Sequence, residues 1–168
     1  YSLKNQPLKV HFLLTLYKIM TMQTIHTKTK HTEWLSPEHM HDDSKLWLSE
    51  LKFYKEEQIF LEELIKSYTL QLIDKKHYED SKAIVKKLSE IVKQTEILLK
   101  TVTSHEKQLT IVVDGVDQLK EEAIYRKEHR NLIEIIAEFK KRYQSVKVKL
   151  FSLIKLVIKE NKQKLILK

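Results

Sequence analysis

Apolar residues recur along most of this chain in alternating steps of four and three residues, and no other feature restricts the fold as much. Because an α-helix turns once every 3.6 residues, such stepping keeps the apolar side chains on one helix face. The positions that follow the pattern are Trp47, Leu51, Tyr54, Gln58, Leu61, Ile65, Tyr68 and Leu72, then Ile84, Leu88, Ile91, Thr95, Leu98, Val102, His105, Leu109, Val112 and Val116, then Tyr125, His129, Leu132, Ile136, Phe139, Tyr143, Val146, Leu150, Leu153 and Val157. Three amphipathic helices are predicted.

The first helix has two candidate start sites and a broad apolar face. Ser36-Pro37 or Asp43-Ser44 could begin it, since each pairs an N-cap oxygen with a residue suited to the first turn. We expect Phe53, Phe60 and Leu64 to widen its apolar face beyond the four-three stripe.

Turns are scarce in this sequence. One Gly and two Pro among 168 residues leave little material for tight connections. The helices are predicted to span about 37–75, 79–113 and 118–162, within a domain covering 36–163. Short connections make successive helices antiparallel, and strict four-three stepping gives left-handed supercoiling. The predicted fold is all-α: an elongated, antiparallel, up-down-up three-helix bundle that is coiled-coil-like.

The two ends of the chain are basic. The net charge of +8 divides into +5 over residues 1–32, −6 over 33–139 and +9 over 140–168. Basic ends on an acidic body suit an anionic partner, but we favour the alternative that they are solvated, frayed termini. We expect 1–35 to be a poorly structured or non-native extension and 164–168 to be a basic tail. Whether residues 1–21 belong to the native protein stays open.

Three stretches of the chain carry a resemblance to a known group. They are EWL with the following LKFYKEEQIFLEELI, the hairpin near Asp114-Gly115, and KEHRNLIEIIAEFKKRY in the third helix. Over about residues 31–160 the chain resembles uncharacterised helical, coiled-coil-like proteins of flavobacteria and related Bacteroidetes. The resemblance implies a three-helix fold and a bacterial cytoplasmic origin, and it brings no activity with it.

The stretch HTEWLSPEHMHDD, residues 31–43, is the densest group of potential metal ligands. Its candidates are Glu38, His39 and His41, since imidazole and carboxylate bind zinc, iron or manganese. Di-iron bundles, however, use two Glu-x-x-His pairs on different helices, and Glu38 with His41 forms the single pair in this sequence. We interpret the stretch as a polar lead-in to the first helix and assign no metal.

A second group of candidates comes from different helices. If the chain reverses near residues 77 and 115, His105 lies level with Trp47 and with His129. These three residues would form one layer, with Glu50 and Glu128 close enough to pair with it. A ligand, metal or pH-sensing site is one interpretation. We favour the other, a buried polar layer that fixes helix register.

The C-terminal stretch VKVKLFSLIKLVIKENKQKLILK is a third candidate. A basic amphipathic helix can lie on an anionic membrane surface or fill a partner's groove. Alternatively, its apolar residues complete the bundle core. The candidate contacts to an anionic surface are Lys147, Lys149, Lys155, Lys159, Lys162 and Lys164.

Catalysis finds little support in the sequence. The chain has no Cys, which excludes disulfides, thiolate metal sites and Cys nucleophiles. We find no phosphate loop, nucleophile elbow or HExxH motif, and we expect no cofactor. Paired acids such as Glu56-Glu57 and Glu62-Glu63 lie off the apolar stripe, so we expect them on the wet face of the helix. The predicted function is a non-enzymatic cytoplasmic scaffold or interaction module that binds a protein partner or itself. Association with an anionic membrane surface is the first alternative and a His/carboxylate metal bundle the second. Nucleic acid is not an expected partner.

Overall fold

The computed structural model describes residues 36–114 and 119–166, all within one compact unit, Leu35–Lys168. Over these residues the chain is an all-α helical bundle without a strand. The helices described are α1 (Pro37–Ser67), α2 (Thr69–Leu72), α3 (Tyr78–Asp114) and α4 (Leu119–Ile166). The predicted extension 1–35, the predicted break at Gly115 and the last two residues of the predicted tail lie outside the described residues.

Helix α1 begins at the first of the two candidate start sites. The Ser36 hydroxyl accepts a hydrogen bond from the backbone N–H of His39 at 3.3 Å, and Pro37 occupies the first turn. Proline suits this position because its missing N–H would have no partner there. The acidic side chain of Glu38 lies in the same turn, at the positive end of the helix dipole.

The first helix was predicted to run unbroken to about residue 75, but it ends at Ser67. Tyr68 leaves the helical region with φ −114° and ψ 16°. The hydroxyls of Ser67 and Thr69 donate to backbone carbonyls of the preceding turn, at 2.8 and 3.1 Å. Such bonds offer the backbone an alternative to regular helix. The short α2 follows, and the Asp74 carboxylate then accepts from the Lys76 N–H at 3.0 Å.

The two longer helices account for most of the remaining chain. Helix α3 carries Glu79 and Asp80 in its first turn, where carboxylates are favoured. Helix α4 has 48 residues and is therefore about 72 Å long. It was predicted to end near residue 162, but it continues to Ile166 and includes the beginning of the predicted basic tail.

The predicted stripes supply the core, with one correction on α1. Every stripe position whose burial is described is buried or half-buried. Leu64 joins the core, but Phe53 and Phe60 do not: their side chains are 48% and 37% exposed. At 100° per residue, Phe53 and Phe60 lie well away from the line through Trp47 and Leu51, so widening the stripe toward them was wrong.

Side-chain contacts relate the long helices in a consistent order. Helix α1 meets α3 through His41 with Glu106, at 3.6 Å, and through Lys55 with Glu96, at 2.7 Å. As the position rises along α1, the partner's number falls along α3. Helix α4 meets α1 in rising order, at Asp43 with His129, Glu50 with Lys140 and Glu57 with Lys147.

Candidate functional site

Stacked rings from all three long helices form a buried layer. Trp47 of α1 stacks on His129 of α4, with ring centroids 4.7 Å apart. His105 of α3 stacks on Tyr125 of α4 at 4.1 Å. The two imidazoles meet with His105 Nε2 3.1 Å from His129 Nδ1. Each of the four side chains is at most 7% exposed. We call these four residues the histidine layer. The structure thus brings together the three residues predicted to share a layer and adds Tyr125.

Carboxylates at the rim contact the outer imidazole nitrogens. Asp43 Oδ2 lies 3.4 Å from His129 Nε2, and Glu128 Oε2 lies 4.0 Å from His105 Nδ1. Glu128 is the acid predicted to pair with the layer. Glu50, also predicted, instead forms an ion pair with Lys140. Asp43 takes its place because it lies one helical turn before Trp47, on the side of α1 that faces α4.

Tyr125 links the histidine layer to the backbone of α3 by a hydrogen bond. Its hydroxyl donates to the carbonyl oxygen of His105 at 2.9 Å. Its ring packs with Met40, which is 1% exposed, in a small apolar cluster beside the main core. The hydroxyl of Ser44, fully buried between them, donates to the Met40 carbonyl at 2.7 Å. The layer is therefore closed on this side by packed side chains.

Burial sets the protonation state of the layer. Desolvation and the neighbouring His129 lower the pKa of His105 to about 4. Desolvation also lowers the pKa of His129, although Asp43 acts in the opposite direction. Both imidazoles are therefore neutral near pH 7, so that one ring nitrogen donates and the other accepts in the bond between them. This arrangement links α3 to α4 and leaves neither facing nitrogen free to act as a base.

A second buried polar cluster links α1 to α4 further along the bundle. Lys147 Nζ donates to both carboxylate oxygens of Glu57, at 2.9 and 3.0 Å. The Tyr143 hydroxyl donates to the same carboxylate at 2.6 Å. The Lys147 ammonium also lies 5.1 Å from the centre of the Tyr143 ring. We call Glu57, Tyr143 and Lys147 the lysine cluster. Burial and the Glu57 charge raise the pKa of Tyr143 well above its usual range.

The lysine cluster corrects two expectations from the sequence. Lys147 was predicted to face an anionic surface, but it is only 2% exposed and its charge is neutralised by Glu57. Glu57 was expected on the wet face of α1, yet its side chain is 14% exposed. The step of four from Tyr143 and of three to Leu150 places Lys147 on the buried face, where Glu57 compensates for the loss of water.

An uncharged pair lies beside the lysine cluster. The Gln58 amide donates to the Thr95 hydroxyl at 2.7 Å, which joins α1 to α3. Thr95 in turn donates to the Ile91 carbonyl at 3.0 Å. Gln58 is 3% exposed and Thr95 is fully buried. Each member of this pair is a stripe residue, so the polar contact lies within the core itself.

A third polar cluster lies where α3 begins. His77 Nε2 is 2.9 Å from Glu160 Oε2, and Lys76 donates to the other oxygen of the same carboxylate. Hydrogen bonds from Lys76 and His77 lower the pKa of Glu160 to about 2. An open pocket of about 190 Å³ adjoins the cluster. The residues that line it are Leu70, Gln71, Asp74, His77, Val157, Glu160, Asn161 and Lys164.

The candidate metal ligands near the start of α1 contact other side chains. The His39 ring contacts the Ser36 hydroxyl at 3.1 Å, and the His41 ring contacts Glu106 on α3. Glu38 is exposed and its pKa is lowered, chiefly by a hydrogen bond with Ser36. No group of three or more His or acidic side chains within the described ranges could hold a metal ion. Their contacts are those of a capped helix start.

The C-terminal lysines other than Lys147 are exposed. Lys149, Lys155, Lys159, Lys162 and Lys164 all reach solvent along α4. The apolar side chains among them, Leu150, Leu153, Ile154 and Val157, belong to the core. An amphipathic helix needs a free apolar face to insert among lipids, and here that face is largely covered. None of the described helices is both long and apolar enough to cross a membrane.

Sequence reasoning did not find the lysine cluster or the His77–Glu160 contact. The position of Lys147 within the apolar stepping was a usable signal for the first. The second offered none, because it depends on how far α4 extends past the turn between α1 and α3. Comparison with known proteins adds no further guide: the chain matches no family model, no curated protein and no solved structure.

Proposed function

We propose that this chain is a non-enzymatic helical scaffold of the bacterial cytoplasm that presents a long, stiff surface to a protein partner. Its three long helices would form an antiparallel, up-down-up, coiled-coil-like bundle. The opposite order of the α1–α3 contacts and the rising order of the α1–α4 contacts support this arrangement. The 37 residues of α3 and 48 of α4 provide the length.

The observation that carries the proposal is that buried polar groups bind one another across helices. The histidine layer, the lysine cluster and the Gln58–Thr95 pair each join a different combination of helices. Apolar layers of similar size can slide past one another by whole turns, whereas buried polar partners must stay paired. Polar groups arranged in this way favour a single register, which is what a stiff scaffold needs.

The same observation argues against a catalytic site in these clusters. A catalytic base or nucleophile must lie within reach of the substrate. The imidazoles of the histidine layer bond to each other, and the carboxylate of Glu57 is occupied by Lys147 and Tyr143. These contacts support a structural role for the chemistry-bearing side chains.

Affinity capture from the native organism tests the scaffold proposal. The intact chain should retain a partner, and a variant with Leu132→Asp and Ile136→Asp should lose it, because both substitutions place a carboxylate in the core and unfold the bundle. Retention by the unfolded variant would show that a short linear segment is recognised instead. In parallel, the melting temperature should not respond to chelators or added zinc, since a ligand bound only by the folded state must raise it. A metal-dependent rise of several degrees would contradict the proposal.

Association with an anionic membrane surface is a second candidate, supported by the five exposed lysines of α4. It predicts co-sedimentation with phosphatidylserine vesicles that weakens as salt is added, because salt screens exposed charges. A variant with Lys155→Glu, Lys159→Glu and Lys162→Glu should then remain in solution. Binding that ignores both salt and these substitutions would exclude this candidate.

A further inference from the structure

Helix α1 carries a line of large apolar side chains that the bundle leaves partly exposed. Leu46, Phe53 and Phe60 are 43%, 48% and 37% exposed. They are spaced seven residues apart, so they form a nearly straight row along the helix. The core face of α1, with Trp47 and Leu51, points elsewhere. We call Leu46, Phe53 and Phe60 the outer stripe.

The composition of the outer stripe is that of an interface. Phe rings are enriched at the centres of protein interfaces, and rows of exposed apolar groups mark contact surfaces. The other two Phe side chains within the described ranges, Phe139 and Phe151, are buried and half-buried. Both exposed Phe rings therefore lie on this one row.

Charges beside the outer stripe are distributed in a self-complementary way. Lys45 and Lys52 lie in the first half of the row, and Glu56 and Glu63 lie in the second half. All four are exposed, and at 100° per residue they fall within about 40° of one another, on one flank of the stripe. Glu63 also accepts a hydrogen bond from Lys66 at 2.7 Å on the surface.

A two-fold axis near Phe53 would match these charges. An antiparallel copy of α1 places Lys52 opposite the copy's Glu56, and Lys45 opposite its Glu63. An axis at Phe53 sets Phe53 against itself and Leu46 against Phe60, and the two charge pairs then lie about 3 Å out of level along the helix, within reach of long side chains. Symmetric dimers require such self-complementary surfaces. A parallel copy would instead place the two charged flanks on opposite sides of the contact, where they could not pair, and an anionic membrane would repel the acidic half.

We infer that the outer stripe is the interface of a homodimer in which α1 pairs antiparallel with α1 of a second copy of this chain. This inference rests on the proposed scaffold function and supplies its self-association surface. The interface is narrow, and small interfaces are commonly weak, so the dimer should form at concentrations of roughly 10–100 µM.

The test is light scattering after size exclusion, over a range of concentrations of the full chain. The wild type should approach twice the monomer mass. Phe53→Lys should weaken the dimer at least tenfold, because it brings two ammonium groups together at the axis. Lys86→Glu, an exposed site on α3, is the control and should leave the dimer unchanged. Circular dichroism should show the same helix content for every variant.

A charge swap distinguishes this pairing from any other use of the stripe. Lys52→Glu and Glu56→Lys should each weaken the dimer, and the double variant should restore it, because only an antiparallel contact sets these positions opposite each other. Failure of the double variant to restore dimerisation would overturn the inference.

A wild type that stays monomeric at several hundred micromolar would also overturn the inference. Binding of that monomer to vesicles through Phe53 would identify lipid as the occupant instead. The scaffold proposal would survive a monomeric result, since its own test is capture of a different protein by the folded bundle.

Discussion

At the scale of single residues, environment decides what each polar side chain does. Two buried imidazoles in contact stay neutral, since burial away from water disfavours the charged form of each. The buried Lys147 ammonium donates to the Glu57 carboxylate and lies over the Tyr143 ring, and these contacts replace water. On the surface of this chain, water would solvate the same residue types, and they would need no buried partner. Each buried group therefore has a measurable consequence for stability.

The first consequence is a dependence of stability on pH. The unfolded chain takes up a proton on His105 near pH 6.5, whereas the folded chain does so only near pH 4. The unfolded state thus gains protons first as pH falls, and the free energy of unfolding decreases between these values. Since one pKa unit corresponds to about 1.4 kcal/mol, the decrease from pH 7.5 to about pH 5 should be roughly 2 kcal/mol. His129 contributes in the same direction. Urea unfolding at the two pH values measures it.

The second consequence concerns removal of the imidazoles. The double substitution His105→Leu with His129→Leu should preserve the helical fold and raise the melting temperature, because both partners of a buried hydrogen bond become apolar together. It should also abolish most of the pH dependence between 6.5 and 4.5. His129→Leu alone should be less stable than the double variant, since it leaves His105 buried without its partner. A double variant that melts lower than the wild type would show that the layer itself stabilises the fold.

At the scale of helices, the four-three pattern predicts which residues are buried far better than it predicts where helices end. The stripes of α1, α3 and α4 follow from period alone, and the level of His105 beside Trp47 and His129 follows from the turn positions. The break at Tyr68 depends on hydroxyls bonding to nearby carbonyls, which no apolar period reveals. Phe53 and Phe60 are exposed because of their angular position on the helix. Their apolar character alone wrongly suggested burial.

Residue type also misled the prediction for Lys147, which is charged but buried. Its substitution tests the contact between α1 and α4. Lys147→Met removes the partner of Glu57 and should lower the free energy of unfolding by about 3 kcal/mol, because it leaves a largely buried carboxylate without its counter-charge. Lys149→Met, two residues along the same helix but exposed, is the matched control and should change stability by no more than about 0.5 kcal/mol. Equal effects of the two substitutions would mean that Glu57 is well hydrated and that the ion pair contributes little.

At the scale of the whole bundle, the central claim is that the long helices reverse direction at each turn. In helices that reverse in this way, each polar cluster pairs two of them at a single register. It also underlies the proposed dimer, whose interface is the partly exposed outer stripe of α1. Both proposals fail together if the helices do not fold back in this order.

Distances between spin labels test the reversal directly. The chain contains no Cys, so two exposed positions can be replaced by labelled Cys without side reactions. One sample carries Lys45→Cys with Lys107→Cys, and the other carries Lys45→Cys with Lys86→Cys. With α1 and α3 antiparallel, the first pair should lie roughly 10–15 Å apart and the second roughly 30 Å apart, given helix spacings near 10 Å and a rise of 1.5 Å per residue. The reverse order, or equal distances, would contradict the account.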